Sequence, residues 1–216
     1  MSPLVMTALA ALAASTGIGW ISASTWRPVK PPARGEPSGR SLAIVSMAFC
    51  EGIAVLGVVA GLLAIFMDEP VAPIDEVLAA ALPIAGAVLG IVLVIRDRGT
   101  TDPWVAIQAT GFILGLGGLG LVVSVLGTII ADNRGEPGNP GLYVVLALAQ
   151  VIAIAGIALT SATSIQSMRG TDVVATRAIL ARQILRSAIF ELIGVGGFVI
   201  ALLLIVTRAS PDGALP

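Results

Sequence analysis

Apolar residues run through this chain in long unbroken stretches, without the alternation a half-buried strand requires. Stretches holding at most one charge cover Met1–Trp26, Ser41–Met67, Val77–Ile95, Pro103–Ala131, Pro137–Met168 and Ser187–Thr207. Each reaches or exceeds the roughly 19–20 residues with which a helix crosses the hydrocarbon of a bilayer. Inside lipid only a helix or a closed barrel satisfies its own backbone, and runs of Leu, Ile, Val, Ala and Gly favour the helix. The pattern predicts an all-α integral membrane protein with six transmembrane helices. They are expected to form three tandem helical hairpins, 1–67, 77–131 and 137–208. The stretch 27–40, with Pro28, Pro31, Pro32 and Pro37, predicts an extended loop. The first run ends in Ser-Ala-Ser but has no basic leader, so it is expected to stay as the first span.

Composition narrows the classes. Of 216 residues 56% are hydrophobic and 12% charged, about half the charged share of a soluble domain. Six spans leave little chain for a soluble domain. With a net charge of −1 and the basic residues in short loops, nucleic-acid binding is not expected. Cys50 is the one cysteine, so no intramolecular disulfide can form. Without histidine a His-ligated metal site is excluded, and no cofactor is expected.

The charges fix an orientation. Arg27, Lys30, Arg34 and Arg40 fall between spans one and two, and Arg96 and Arg98 between three and four. Arg169, Arg177, Arg182 and Arg186 fall between five and six. Those are ten of the twelve basic residues; the even connections hold Asp68, Glu69, Asp75, Glu76, Asp132 and Glu136. Basic loops stay in the cytoplasm, so the odd loops are expected there and both termini outside. Trp20, Trp26 and Trp104 gather near that interface, where aromatic anchors sit.

Eleven of the thirteen carboxylates lie in loops or tails; Glu51 and Glu191 lie within spans. A charge at the bilayer centre costs at least about 2.5–3.5 kcal/mol, so each is buried in protein, paired or carrying a proton. Both stand 17 positions before a boundary charge, Asp68 and Arg208, about 25 Å along a helix. Ala48, Glu51, Ala54, Gly57 and Gly61 recur, shifted by 140, as Ala188, Glu191, Gly194, Gly197 and Ala201. Steps of three and four keep each set on one face, and small residues admit a neighbouring backbone. The middle unit has no such carboxylate; Gln108, with Gly111, Gly115 and Gly118, stands as the corresponding position through a looser match. Ser15 and Thr16 lie at the depth of Glu51 and are candidates to hydrogen-bond it. Gln150 reads as an interhelical hydrogen bond and Cys50 as packing.

A two-helix hairpin with a polar loop and a mid-membrane glutamate in its second helix resembles the c subunit, or proteolipid, of rotary ATP synthases and V-type ATPases. The runs from Glu51-Gly52-Ile53-Ala54 and from Glu191-Leu192-Ile193-Gly194 are similar to that family's carboxylate helix. Ala181-Arg182-Gln183 is similar to its polar-loop Arg-Gln-Pro, with Ile184 in place of the proline. A long Gly-x-Gly run in the first helices is absent, with only Gly17-Ile18-Gly19 in its place. The tripled form with one inactive copy resembles the V-type and archaeal proteolipids. The resemblance implies an ion-carrying rotor subunit without bond chemistry of its own, sited in the cell membrane. Its implied partners are lipid, a homo-oligomeric ring, and the stator and central-stalk subunits. Gly52 and Leu192 follow the glutamates without a hydroxyl, which favours protons over sodium. The residues alone leave open a transporter or channel with the glutamates lining a path, or a six-span scaffold.

Overall fold

A computed structural model describes residues 2–27, 38–66, 73–96, 99–130 and 140–208. The described chain forms six α-helices: α1 (Pro3–Ala23), α2 (Gly39–Phe66), α3 (Pro73–Arg96), α4 (Pro103–Ile130), α5 (Pro140–Ser167) and α6 (Val173–Arg208). All six are long and apolar enough to cross a membrane, which suggests a multi-pass membrane protein. The Pro-rich loop and most of the even connections, with Asp68, Glu69, Asp132 and Glu136, lie outside the described residues, whereas Asp75 and Glu76 stand in the first turn of α3 and not in a connection.

Four helices open on proline, whose fixed φ suits the first helical turn and whose missing N–H is not needed there. Asp102 precedes α4 and accepts from the Trp104 and Val105 N–H groups, at 2.9 and 3.4 Å, as an N-cap. Asp172 caps α6 in the same way, accepting from the Ala175 N–H at 2.7 Å. The turn before α6 closes on Gly170 at φ 78°, a left-handed conformation suited to glycine.

The sixth helix departs from expectation. The span was placed at Ser187–Thr207, but α6 begins at Val173, so Arg177, Arg182 and Arg186 stand on the helix and not in a loop. A run of apolar residues ends where charge begins, whereas a helix continues wherever its backbone bonds and side chains permit. Against the 140-residue shift, α5 starts three residues earlier and ends four later than α1, and α6 starts six residues earlier than α2.

The helices stand in two rows. α1 touches α2, α3, α4 and α5; α2 touches also α4, α5 and α6; α3 meets only α1 and α4, and α6 only α5 and α2. One row therefore runs α3–α1–α5 and the other α4–α2–α6, with the first pair of helices in the middle. α1 is the hub: 72% of its apolar window is buried, against 28% for α3 and 22% for α6. Contact across it is made backbone to backbone. A Cβ on Gly86 would lie 2.5 Å from the Leu12 Cα, and one on Gly19 2.5 Å from the Gly90 carbonyl oxygen. The Ser2 N–H donates to Asp75 at 2.6 Å, tying the starts of α1 and α3 together, so the two run parallel. Between α1 and α5, Gly17 lies against Ala158 and Ile154.

The close α1–α3 approach can be tested. Gly86→Leu drives a side chain into the α1 backbone, and overpacking of this kind costs about 1–3 kcal/mol. The protein in detergent is expected to unfold several degrees lower. Gly115→Ala, where nothing lies within 4 Å, is expected to leave the midpoint unchanged or slightly raised. Equal losses for both variants would contradict the arrangement.

Candidate functional site: two glutamates on one row of helices

Glu51 is half-buried on the flank of α2 between buried Met47, Ala54 and Val58 and exposed Ala48 and Val55. Val58, two turns along that flank, belongs to a buried cluster with Leu4 and Ala8 of α1, Ala79 of α3 and Val123 of α4, so the Glu51 flank of α2 is turned to the α1 and α4 side of the bundle. Glu191, also half-buried, lines a groove of about 360 Å³ with Val45, Ala48 and Phe49 of α2. The two carboxylates thus belong to the same row and occupy its two successive seams. Neither has a hydrogen-bond or ion-pair partner among the described residues.

The small residues around them work as the pattern implies. Gly57 lies against Ala10 and the Gln150 amide, and Gly61 against Thr7, so both let α2 close on α1. The Thr7 hydroxyl donates to the Gly57 carbonyl at 2.8 Å, supplying a polar contact at the same place. On α6, Gly194 accommodates Ile53 of α2 and Ala153 of α5. The contacts Ile53–Gly194 and Gly17–Ala158 both join positions 141 apart, within one residue of the sequence shift.

Three expected residues are placed differently. Thr16 does not reach Glu51; its hydroxyl donates to the Leu12 carbonyl of its own helix at 2.8 Å. Ser15 is fully buried on the hub, and its hydroxyl has no partner. Gln108 is not the counterpart of Glu51. An ion pair of 2.9 Å from Arg40 to Asp102 joins the starts of α2 and α4, and burial runs in phase at a shift of 63. Cys50 and Ile113 are both buried, as are Ile53 and Leu116, Ala54 and Gly117, Gly57 and Gly120. Phe49 then matches Phe112, and Ala48, Ala54, Gly57 and Gly61 match Gly111, Gly117, Gly120 and Ser124. At this register Glu51 corresponds to Leu114, which is 57% exposed. Gln108 lies nearly two turns earlier, beside a shallow depression with Ile107, Gly111 and Phe112.

A polar cluster that the sequence reading did not single out lies one turn from Glu191. Gln183 is fully buried, and its amide nitrogen lies 2.8 Å from Thr160 Oγ1, 3.0 Å from Ser161 Oγ and 3.3 Å from Ser187 Oγ. The Ser164 hydroxyl donates to its amide oxygen at 3.0 Å. With the amide turned over, the nitrogen donates to Ser164 Oγ and the Thr160 carbonyl and the oxygen accepts from Thr160 and Ser161, without the bond to Ser187. Gln183 was expected in a polar loop; it stands inside α6. The spacing 183, 187, 191 places all three on one helix face and was readable in advance.

Groups able to hold a metal are not found among the described residues. Comparison with protein-family models, with curated proteins and with solved structures finds no match to this chain.

The seams make a chemical prediction. A lipid-soluble carbodiimide concentrates in the apolar phase, where it meets Glu51 and Glu191 and not the helix-end acids. Peptide mass spectrometry is expected to find both modified well before Glu76. Earlier labelling of Glu76 would remove the special standing of the pair.

Proposed function

We propose that this chain is a rotor, or proteolipid, subunit of an ion-translocating rotary ATPase, carrying protons on Glu51 and Glu191. The reading is carried by one observation: two carboxylates, 140 residues apart, sit on successive seams of one helix row without partners among the described residues. Three tandem hairpins laid side by side, with their second helices in one row, would set both carboxylates on the face that meets a stator. A glutamic acid holding its proton is neutral and tolerates lipid, whereas the ionised form needs a polar channel or a cation. Rotation past a stator with two half-channels would load and unload each carboxylate in turn, coupling ion flow to turning. The parallel run of α1 and α3 speaks for same-way repeats, unlike the inverted repeats of many transporters.

A ring needs further copies at both ends of the rows. α4, at one end, exposes Gly111, Gly115 and Gly118 with open space where their Cβ atoms would be, and such a face lets a backbone approach closely. Other partners would be the stator and the central stalk, the latter meeting the basic loop ends. Leu114 makes the middle hairpin a unit without a carried site.

Two measurements test the proposal. Glu51→Gln and Glu191→Gln keep size and hydrogen bonding and remove the exchangeable carboxyl proton. In reconstituted vesicles of the assembled complex either change is expected to abolish ion-coupled ATP turnover, because every carried site passes the same stator. Leu114→Ala and Gln108→Ala are expected to be far milder. Full coupled transport in both glutamine variants would overturn the rotor reading.

Orientation is tested separately. In a Cys50→Ser background, single cysteines at Gly99 and Val174, both exposed at the loop ends, are expected to resist an impermeant thiol reagent outside intact cells. They should react in inverted vesicles. Labelling from outside would reverse the assignment of the basic loops to the cytoplasm.

A further inference from the structure

Where α1 and α5 end, a pocket of about 630 Å³ opens beside the α3–α4 connection, with Ser24, Trp26, Arg27, Thr100, Gln166 and Arg169 in its wall. The fold fixes that wall. The Arg27 N–H donates to the Thr100 carbonyl at 2.7 Å, and the Trp26 ring lies against Gly39 of α2. The Ser24 and Thr25 hydroxyls donate back to the Trp20 and Ser22 carbonyls of their own helix. The donors left over are the guanidinium groups of Arg27 and Arg169 and the Gln166 amide. All three side chains are exposed and have no hydrogen-bond or ion-pair partner among the described residues. An arginine that capped a helix end would bond its last carbonyls, and neither does so. The two helix C-termini bring about −0.5 charge each, so the arginines leave the pocket net positive. The described acids within a few residues of the wall, Asp102 and Asp172, are taken up by Arg40 and by the start of α6.

The pocket continues into an apolar furrow. The described side chains of α1 are buried except along one stripe in steps of three and four, Leu9, Leu12, Thr16, Trp20 and Ser24, with Ala13 and Ala23 beside it. Trp20 is 43% exposed, one turn from Ser24 and the pocket. α1 meets α2 and α4 in the other row and α3 and α5 on its flanks, so the stripe opens outward between α3 and α5. We infer that pocket and furrow together bind an anionic phospholipid. Its phosphate sits between Arg27 and Arg169 with the Gln166 amide as a third donor, and an acyl chain runs along α1 past Trp20. Guanidinium groups match phosphate oxygens in pairs of hydrogen bonds, and basic pockets between helix ends hold anionic headgroups. An amphipathic ring such as that of Trp20 belongs at the headgroup level. A soluble phosphate offers the same oxygens but leaves the furrow empty, and the exposed stripe leading into the pocket therefore favours the lipid. The site requires only that the helices span a bilayer and does not depend on the rotor reading.

Bromine on an acyl chain quenches tryptophan on contact, so quenching reads which lipid occupies the furrow. Trp104→Phe removes the exposed indole on α4 and leaves Trp20 and Trp26, both at the site. The full chain is placed in phosphatidylcholine vesicles holding a fixed fraction of brominated lipid, either phosphatidylglycerol or phosphatidylcholine. Brominated phosphatidylglycerol is expected to quench more strongly, and Arg27→Gln and Arg169→Gln should each lower that preference about fivefold. Arg177→Gln, exposed near the loop end of α6, should leave it unchanged. Unaltered quenching by brominated phosphatidylcholine certifies the fold of each variant, and the two arginines test the site independently. No preference for phosphatidylglycerol, an equal drop in Arg177→Gln, or a full preference in both pocket variants would each refute the site. Inorganic phosphate at matched ionic strength is expected not to displace the lipid. Displacement would assign the pocket to a soluble anion and overturn the lipid assignment.

Discussion

Close backbone contact around α1 is the constraint on which the remaining architecture depends. Between helices in lipid there is little hydrophobic drive, because the tails are as apolar as leucine. Association then relies on dispersion contacts at short range and on a few polar bonds. α1 satisfies that requirement on four sides: Gly86 and Gly90 admit α3, Gly57 and Gly61 admit α2, Gly17 meets α5, and Gly120 of α4 sits near Ala11. Once α1 is surrounded, α6 can reach only α5 and α2. The row α4–α2–α6 follows from this, and so do the seams in which Glu51 and Glu191 sit.

The number and placement of the helices were largely legible, because prolines and charges mark ends that the backbone also respects. Pro103 and Pro140 begin helices within three residues of the expected spans. Val173–Arg186 was missed because its arginines interrupt hydropathy without interrupting a helix. The order of the rows was not legible, since every helix offers glycines and the pattern does not say which helix fills them. Gln108 illustrates a different failure: a conspicuous amide drew the alignment by six residues. The quieter match of Phe49 to Phe112, with Gly111, Gly117 and Gly120, carried the register. The spacing placed the two glutamates at matching levels, and the Ile53–Gly194 contact sets α2 and α6 within one residue of that register, but the bonds around Gln183 needed the pairing of α5 with α6.

The same register also separates what folding demands from what it tolerates. Along the three matched helices, the positions packed against neighbouring helices are small or apolar and buried, as at Ala54, Gly117 and Gly194. The position three residues before each of them is Glu51, Leu114 or Glu191, and none of these is fully buried. Packing therefore dictates the first kind of position and leaves the second nearly free.

In the register in which burial matches α4 to α2, an exposed leucine, Leu114, stands where α2 has Glu51. In a bilayer a leucine there stabilises insertion, whereas a glutamate costs at least about 2.5–3.5 kcal/mol if charged. A structural role for the glutamates would need bonds from the chain to offset that cost. Neither carboxylate has one among the described residues. Packing and the bonds among the described residues therefore give no reason for an acid at 51 or at 191, as the proposal of a carried proton expects.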